Sequence, residues 1–168
     1  MRISLQLVLC LFLLSGCNDG AGLGTEIGKK APEITSEDMT GKPLTLSQFQ
    51  GKVVLIDFWA TWCPPCMNEI VHERDLHRQF DGHAFVILGI SRDRNRDELK
   101  RYLDSAKLPW PNIYDSTGNI ADQWKVSNLP TFVLVDHNGV IVDRWEGGGQ
   151  IEKIRQAVDK AVRAAEKK

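Results

Sequence analysis

The sequence has no excess of charge of either sign, since 21 Lys and Arg residues stand against 22 Asp and Glu residues in a chain of 168. A net charge of −1 offers no broad basic surface, so we expect no nucleic-acid partner. Internal repeats and low-complexity segments are also absent from the sequence. With 42% hydrophobic and 26% charged residues, the composition predicts one globular domain with an ordinary core, which we expect to be a monomer.

Long hydrophobic runs are scarce. The apolar stretch from Leu5 to Leu14 is interrupted by Gln6 and Cys10, and it is too short to span a bilayer comfortably, which takes about 20 residues. Its length is that of the apolar region of an export signal, and Arg2 supplies the preceding positive charge. The pattern therefore predicts that residues 1–16 are a signal peptide.

The segment that follows, Leu14-Ser15-Gly16-Cys17, resembles the lipobox of bacterial lipoproteins. The resemblance implies that Cys17 is lipidated, becomes the first residue of the mature protein and anchors it to a bacterial membrane on the extracytoplasmic, periplasmic side. Glycines are frequent after it, so we expect residues 17–30 to be a flexible tether and residues 31–168 to be the domain. An ordinary signal peptide and a retained anchor helix are the alternatives.

Cysteine is scarce as well, with four in the chain. Cys10 would leave with the signal peptide and Cys17 would carry lipid, so only Cys63 and Cys66 remain as thiols. A disulfide framework is therefore excluded, although disulfides are common in exported proteins. A structural zinc site needs about four ligands, and no second pair of cysteines at this spacing exists, so we expect no metal. Two thiols at i and i+3 can close a disulfide and carry two electrons themselves, so we expect no cofactor.

The order of apolar and charged segments predicts an α/β fold, a mixed central sheet flanked by helices. The unbroken apolar run 53–58 predicts a strand covered on both faces, and it leads directly into a helix over 63–80. The other predicted elements are a hairpin over 34–46, strands at 84–90, near 113, at 131–135 and at 140–145, and helices at 95–106 (with Asn95 as N-cap), 118–124 and from 151 onward. Asn138-Gly139 indicates a two-residue turn between the last two strands.

Three segments carry a resemblance to a known family. One of them looks like the active-site stretch of the thioredoxin superfamily: Val54-Leu55-Ile56-Asp57-Phe58-Trp59-Ala60-Thr61-Trp62-Cys63-Pro64-Pro65-Cys66. With Glu69, the lead-in Gly41–Ser47 and the later Leu129–Asp136, the chain resembles the TlpA/ResA-like thiol-disulfide oxidoreductases over about residues 31–165. The resemblance implies a thioredoxin-like fold with an N-terminal hairpin and an inserted strand-helix segment within 91–128. The charged run 92–97 in that insertion could contact a partner or could be a solvated loop.

The two cysteines are expected to perform the chemistry. Cys63 precedes the helix, so we expect it to stay exposed and to attack substrate as a thiolate favoured by the helix dipole. Cys66, one turn inside, would resolve the mixed disulfide. Pro64 and Pro65 remove two backbone donors that could stabilise the thiolate, which predicts a less depressed Cys63 pKa and a less oxidising disulfide. The alternative is that the prolines only start the helix rigidly.

Two acids are candidates for catalysis. Asp57 interrupts an apolar strand, and the resemblance implies that it is the buried aspartate that moves the proton to and from the second cysteine. Glu69 lies one turn beyond Cys66 on the same side of the helix. The resemblance implies that Glu69 tunes the titration of the dithiol, and a solvated helix charge is the alternative. The family often has proline two residues after this acid, where this chain has Val71.

The resemblance also implies a substrate-binding surface. Pro130 matches the superfamily's cis-proline, which would leave the backbone of Leu129 exposed to pair with a substrate segment. Trp62 would frame this surface, and Trp59 is a candidate either for the same surface or for the core. The remaining tryptophans are expected to be packing residues.

The resemblance implies an enzyme that reduces protein disulfides and is itself re-reduced by a membrane thiol-electron transporter. Cytochrome c maturation and general periplasmic thiol homeostasis are both compatible with it. A dithiol oxidase or isomerase would use the same residues. A thiol peroxidase would need a cysteine in a Pro-Thr-x-x-Cys setting, which the active-site stretch lacks, and a binding module with vestigial thiols is the non-enzymatic alternative.

Overall fold

The computed structural model describes residues 24–167. The predicted signal peptide, Cys17 and the first part of the predicted tether lie outside the described residues. Within these, no helix has both the length and the apolar character needed to cross a membrane. The elements are β1 (Thr35–Glu37), β2 (Pro43–Thr45), β3 (Val53–Trp59), α1 (Pro64–Gln79), β4 (Phe85–Ser91), α2 (Arg96–Ala106), β5 (Asn112–Tyr114), α3 (Asn119–Gln123), β6 (Thr131–Val135), β7 (Ile141–Glu146) and α4 (Ile151–Glu166).

Five strands form one mixed sheet in the order β5-β4-β3-β6-β7, and β1 and β2 form a separate hairpin. The central strand, β3, runs parallel to β4 and antiparallel to β6. All seven residues of β3 are buried, as expected for a strand covered on both faces. The predicted central strand, mixed sheet and N-terminal hairpin are therefore confirmed.

Alternate residues of β3 divide the core between the two faces of the sheet. Leu55 packs on one face with Leu76 of α1 and Val158 of α4. Ile56 packs on the other face with Trp124, which caps the C-terminal end of α3, and with the β1–β2 hairpin. The period of two places Asp57 on the face of Leu55, beneath α1.

Local capping signals act as predicted at α2. Asn95 is extended, and its Oδ1 accepts hydrogen bonds from the backbone N–H groups of Asp97 (2.9 Å) and Glu98 (3.2 Å). These bonds satisfy donors that have no partner inside the helix. The predicted N-cap is confirmed.

The turn between β6 and β7 differs from its prediction. Val135 pairs with Ile141, so five residues connect the strands instead of two. The Asp136 carboxylate explains the longer loop, because its Oδ1 accepts the N–H groups of both Asn138 and Val140 at 2.9 Å. The hairpin is confirmed, but the two-residue turn is wrong.

The predicted boundary between tether and domain is also wrong. The backbone of residues 28–31 pairs with the start of β7: Gly28 N–H donates to Ile141 O (2.8 Å), and Ile141 N–H donates to Lys29 O (2.9 Å). Ala31 N–H donates to Gly139 O at 2.9 Å. Residues 28–30 therefore belong to the domain, because they satisfy the backbone of an edge strand.

Candidate active site

The two cysteines lie at the N-terminus of α1 and form a disulfide with a Cα–Cα distance of 5.3 Å. Cys63 is the N-cap residue, and its Sγ accepts a hydrogen bond from Cys66 N–H at 3.3 Å. Pro64 and Pro65 have no N–H, so Cys66 supplies the first backbone donor of the helix. The Cys63 sulfur therefore faces one backbone N–H of the helix, whereas residues other than proline at positions 64 and 65 would offer further N–H donors.

Cys63 is less exposed than the sequence predicts. Its exposed fraction is 5%, and that of Cys66 is 1%. The Cys63 sulfur turns inward to bond Cys66 and to cap the helix, and Trp59, Ala60 and Leu129 belong to the same apolar cluster. The prediction that Cys63 stays exposed is wrong for this disulfide form, although Cys63 remains the more accessible of the two.

Asp57 lies in the middle of β3 and is buried, with 2% of its surface exposed. Its Oδ1 has no hydrogen-bond partner among the described residues. Burial raises the pKa of Asp57 well above the usual value for a carboxyl group, and the neighbouring Glu69 carboxylate raises it further. A carboxyl group with a raised pKa can hold or release a proton closer to neutral pH.

Glu69 points into the protein. Its exposed fraction is 4%, and its Oε1 accepts a hydrogen bond from the backbone N–H of Gly149. The loop that carries Gly149 also donates from Gly147 N–H to Pro130 O, at 2.8 Å. A Cβ at Gly148 would lie 3.2 Å from Glu69 Oε1, so the absence of a side chain there allows the close approach. The alternative of a solvated helix charge is therefore excluded.

A third buried acid, Glu73, was not singled out from the sequence. It is 1% exposed, and neither carboxylate oxygen has a hydrogen-bond partner among the described residues. Burial raises its pKa well above the usual value, with smaller contributions from Asp57 and Glu69. The available signal was spacing, because positions 66, 69 and 73 follow the i, i+3, i+7 pattern of one helix face.

The peptide bond between Leu129 and Pro130 is cis, as the resemblance implied. Neither the N–H nor the carbonyl of Leu129 forms a hydrogen bond within residues 24–167. Trp62 has 59% of its surface exposed, whereas Trp59 has 1% and donates its Nε1–H to Asn112 Oδ1 at 3.1 Å. Trp62 and Leu129 thus remain candidates for substrate binding, and Trp59 is a core residue.

The charged run 92–97 contains a buried residue that the solvated-loop interpretation missed. Asp93 has 2% of its surface exposed and accepts hydrogen bonds from Thr61 N–H (3.1 Å) and Thr61 Oγ1–H (2.6 Å). It also accepts a 2.7 Å hydrogen bond from Ser91 Oγ–H. The carboxylate therefore joins the loop before the dithiol to the end of β4, over a sequence separation that no local pattern reveals.

The described residues contain no group of three or more His, Cys, Asp or Glu side chains arranged to hold a metal ion. His72 is exposed, and His77 is half-buried with its ring 5.9 Å from that of Trp110. Among the buried acids, Glu69 and Glu73 lie on α1 with Cys66, and Asp57 lies on the strand beneath them.

Comparison with known proteins agrees with this geometry. A sequence profile of the AhpC/TSA family matches residues 27–144. The thiol-disulfide oxidoreductase ResA of Bacillus thuringiensis is 30% identical over 135 residues, which cover 80% of this chain and 78% of that protein. The thioredoxin-like protein YneN of Bacillus subtilis is 30% identical over 139 residues, covering 82% of this chain and 81% of YneN.

Solved structures share the fold. The thioredoxin domain of a thiol-disulfide oxidoreductase from Bacteroides vulgatus superposes with a TM-score of 0.73 at 29% identity, covering 82% of this chain and 98% of that domain. The chain therefore belongs to the AhpC/TSA family, as a ResA-like thiol-disulfide oxidoreductase with a thioredoxin-like fold.

Proposed function

We propose that this oxidoreductase reduces disulfides of protein substrates outside the cytoplasm, using the Cys63–Cys66 dithiol. The proposed direction of the reaction, reduction of the substrate, is supported by the surroundings of the two cysteines. The Cys63 sulfur has one helical N–H donor, at 3.3 Å, and buried carboxyl groups at Asp57 and Glu69 lie on the same side of the sheet. Few donors and the negative charge of Glu69 stabilise a thiolate poorly, which favours the disulfide of the enzyme and makes its dithiol more reducing.

The reaction proceeds by two exchanges. The Cys63 thiolate attacks one sulfur of the substrate disulfide, forms a mixed disulfide and expels the other substrate sulfur as a thiolate. Cys66 then loses its proton, attacks the Cys63 sulfur and closes the enzyme disulfide, which releases the second substrate thiolate. Two electrons pass to the substrate, and two protons complete its thiols.

Asp57 is the proposed acceptor of the Cys66 proton. Cys66 is 1% exposed, so water has little access to its thiol. Asp57 faces α1 from the central strand, and its raised pKa allows it to take up this proton and to return it in the next cycle. Glu69, held by Gly149, acts on the dithiol through its charge.

The membrane setting of the proposal depends on the N-terminus. A lipid on Cys17 would hold the domain beside a membrane thiol-electron transporter, which would re-reduce it, and tethering raises the effective concentration of the two partners. Substrates would be protein thiols and disulfides, with apocytochrome c and general thiol homeostasis as the two candidate settings.

The reduction potential of the Cys63–Cys66 pair tests the direction, by equilibration of the purified protein against glutathione. A value near −270 mV, about that of thioredoxin, is expected for a reductase. A value near −120 mV, about that of a strong oxidant, would contradict the proposal and indicate a dithiol oxidase. Insulin reduction that is lost in Cys63→Ser separates both enzymes from a binding module, and consumption of peroxide would identify a thiol peroxidase.

A further inference from the structure

A cleft of about 220 Å³ opens beside the dithiol. Its lining includes Trp62, which precedes Cys63, and Leu129, which packs against the cluster that contains both cysteines. Arg92 and Arg94 also line it, together with two serines and a valine, and no acidic side chain among residues 24–167 lines it. We infer that this cleft binds a carboxylate side chain of the substrate polypeptide, adjacent in sequence to the target cysteine. The inference deepens the proposed function and rests on it.

Arg92 is held in place while most of its donors stay available. Its Nη1–H donates to Asp115 Oδ2 at 3.4 Å, which is the only hydrogen bond of the guanidinium within residues 24–167. Asp115 itself accepts the N–H groups of Ile120 (3.2 Å) and Ala121 (3.0 Å), so its charge is shared with the start of α3. A guanidinium with unused donors matches a carboxylate with two parallel hydrogen bonds.

Gly118 provides the space for this arrangement. A Cβ at this position would lie 2.0 Å from Arg92 Nη1, and the residue has a positive φ of 85°. The Arg92 backbone is fixed as well, since its N–H donates to Trp59 O at 2.8 Å. Both ends of the Arg92 residue are therefore positioned by the fold, and little side-chain entropy is lost when a ligand binds.

Arg94 adds a second positive charge on the same loop. It is exposed and has no hydrogen bond or ion pair within the described part of the chain. The loop that carries it is fixed by Asp93, which binds Thr61 one residue before Trp62. The cleft thus places two cationic side chains beside the dithiol, a charge arrangement complementary to an acidic peptide segment.

The position of Leu129 indicates how a substrate segment would align with the cleft. Its free N–H and carbonyl would pair with the extended backbone of a substrate at its cysteine. Because Leu129 also lines the cleft, a substrate side chain near that cysteine would enter the cleft and meet Arg92 and Arg94. An acidic residue there forms charge-assisted hydrogen bonds, whereas a lysine is repelled.

Three disulfide-bonded peptides that differ by Asp, Asn or Lys beside one cysteine would test the inference. Single-turnover rate constants with the reduced protein are measured at low salt and at about 0.5 M salt. Each is divided by the rate constant with dithiothreitol, which corrects for the intrinsic reactivity of each disulfide. We expect the Asp peptide to be reduced about tenfold faster than the Asn peptide at low salt, with the Lys peptide slowest.

The variants Arg94→Ala and Arg92→Ala should bring the Asp-to-Asn ratio towards one, and Arg94→Glu should favour the Lys peptide. Arg163→Ala removes an exposed cation of α4 that pairs with Asp159, and it should keep the wild-type ratio. If Arg92→Ala does not fold, the Arg94 variants decide, because Arg94 has no partner in the described fold. Equal rates for the three peptides with the wild-type protein would overturn the cleft assignment alone. Failure to reduce any of them would overturn the proposed function and the cleft with it.

Discussion

The hydroxyl of Thr61 donates a 2.6 Å hydrogen bond to Oδ1 of Asp93, across 32 residues of sequence. The backbone N–H of Thr61 donates to the same carboxylate, and so does the hydroxyl of Ser91. A buried acid in the loop after β4 therefore determines where the chain runs just before Cys63. The dithiol depends for its position on a residue outside the Cys-Pro-Pro-Cys segment.

Replacement of Asp93 should destabilise the protein. Asp93→Ala leaves the Thr61 N–H and two hydroxyl groups without their buried acceptor, so the free energy of unfolding should fall by about 3 kcal/mol. Asp93→Asn keeps one acceptor oxygen, and the loss should be about 1 kcal/mol. Urea denaturation of both variants checks the order. Equal losses, or a change within about 0.5 kcal/mol for Asp93→Ala, would mean that the carboxylate does not hold the loop.

Glu73 should make stability decrease with pH. Burial raises the pKa of Glu73 in the folded state well above 4.5, the ordinary value for a glutamate side chain. The folded state therefore binds the Glu73 proton more tightly than the unfolded state does. The stabilising contribution of the protonated group is fully present below about pH 4.5 and is lost as the pH rises through the raised pKa.

Glu73→Gln should remove this loss. The variant should gain stability over the wild type as the pH rises above about 4.5, as measured by the urea midpoint at each pH. Asp75→Asn changes an exposed acid on the same helix and serves as the matched control. A wild-type protein whose stability rises over this interval as steeply as that of Glu73→Gln would contradict the assignment.

Asp57→Asn should slow the closing of the enzyme disulfide. An amide cannot take the Cys66 proton, so the rate of the second exchange should fall by about 100-fold near neutral pH. The wild-type rate should rise with pH through the raised pKa of Asp57, because only the carboxylate accepts the proton. The variant should lose this dependence and accumulate the mixed disulfide, which acid quenching and mass spectrometry detect. An unchanged pH profile would exclude Asp57 as the proton acceptor.

Glu69→Gln should make the dithiol less reducing. Removal of the Glu69 carboxylate from α1 stabilises the Cys63 thiolate, and a tenfold change in the equilibrium with glutathione raises the potential by about 30 mV. Redox titration against glutathione measures the shift, and Glu152→Gln, an exposed acid of α4, is the control. A shift towards more negative potential would show that Glu69 acts through packing against Gly149 and not through charge.

Three features that depend on local sequence were predicted correctly. The buried strand before Cys63, the N-cap at Asn95 and the helix after the dithiol depend on residues within one or two turns of each other. The identity of the cis peptide bond before Pro130 came from resemblance, since few X-Pro bonds are cis. The strand, the N-cap and the helix can be predicted from the sequence alone, because side-chain periodicity and capping involve residues that are close together in the chain.

The tertiary structure decided the rest. Glu69 and Glu73 are charged residues on a helix, and only the sheet beneath α1 and the loop at Gly149 determine that both are buried. Asp93 lies in a charged run that would be solvated without Thr61 to bind it. The sequence determined the dithiol and its helix, because these need only neighbouring residues. Which acids surround the dithiol, and how exposed Cys63 is, follow from contacts between segments some 30 to 80 residues apart, where burial and hydrogen bonding outweigh local preference.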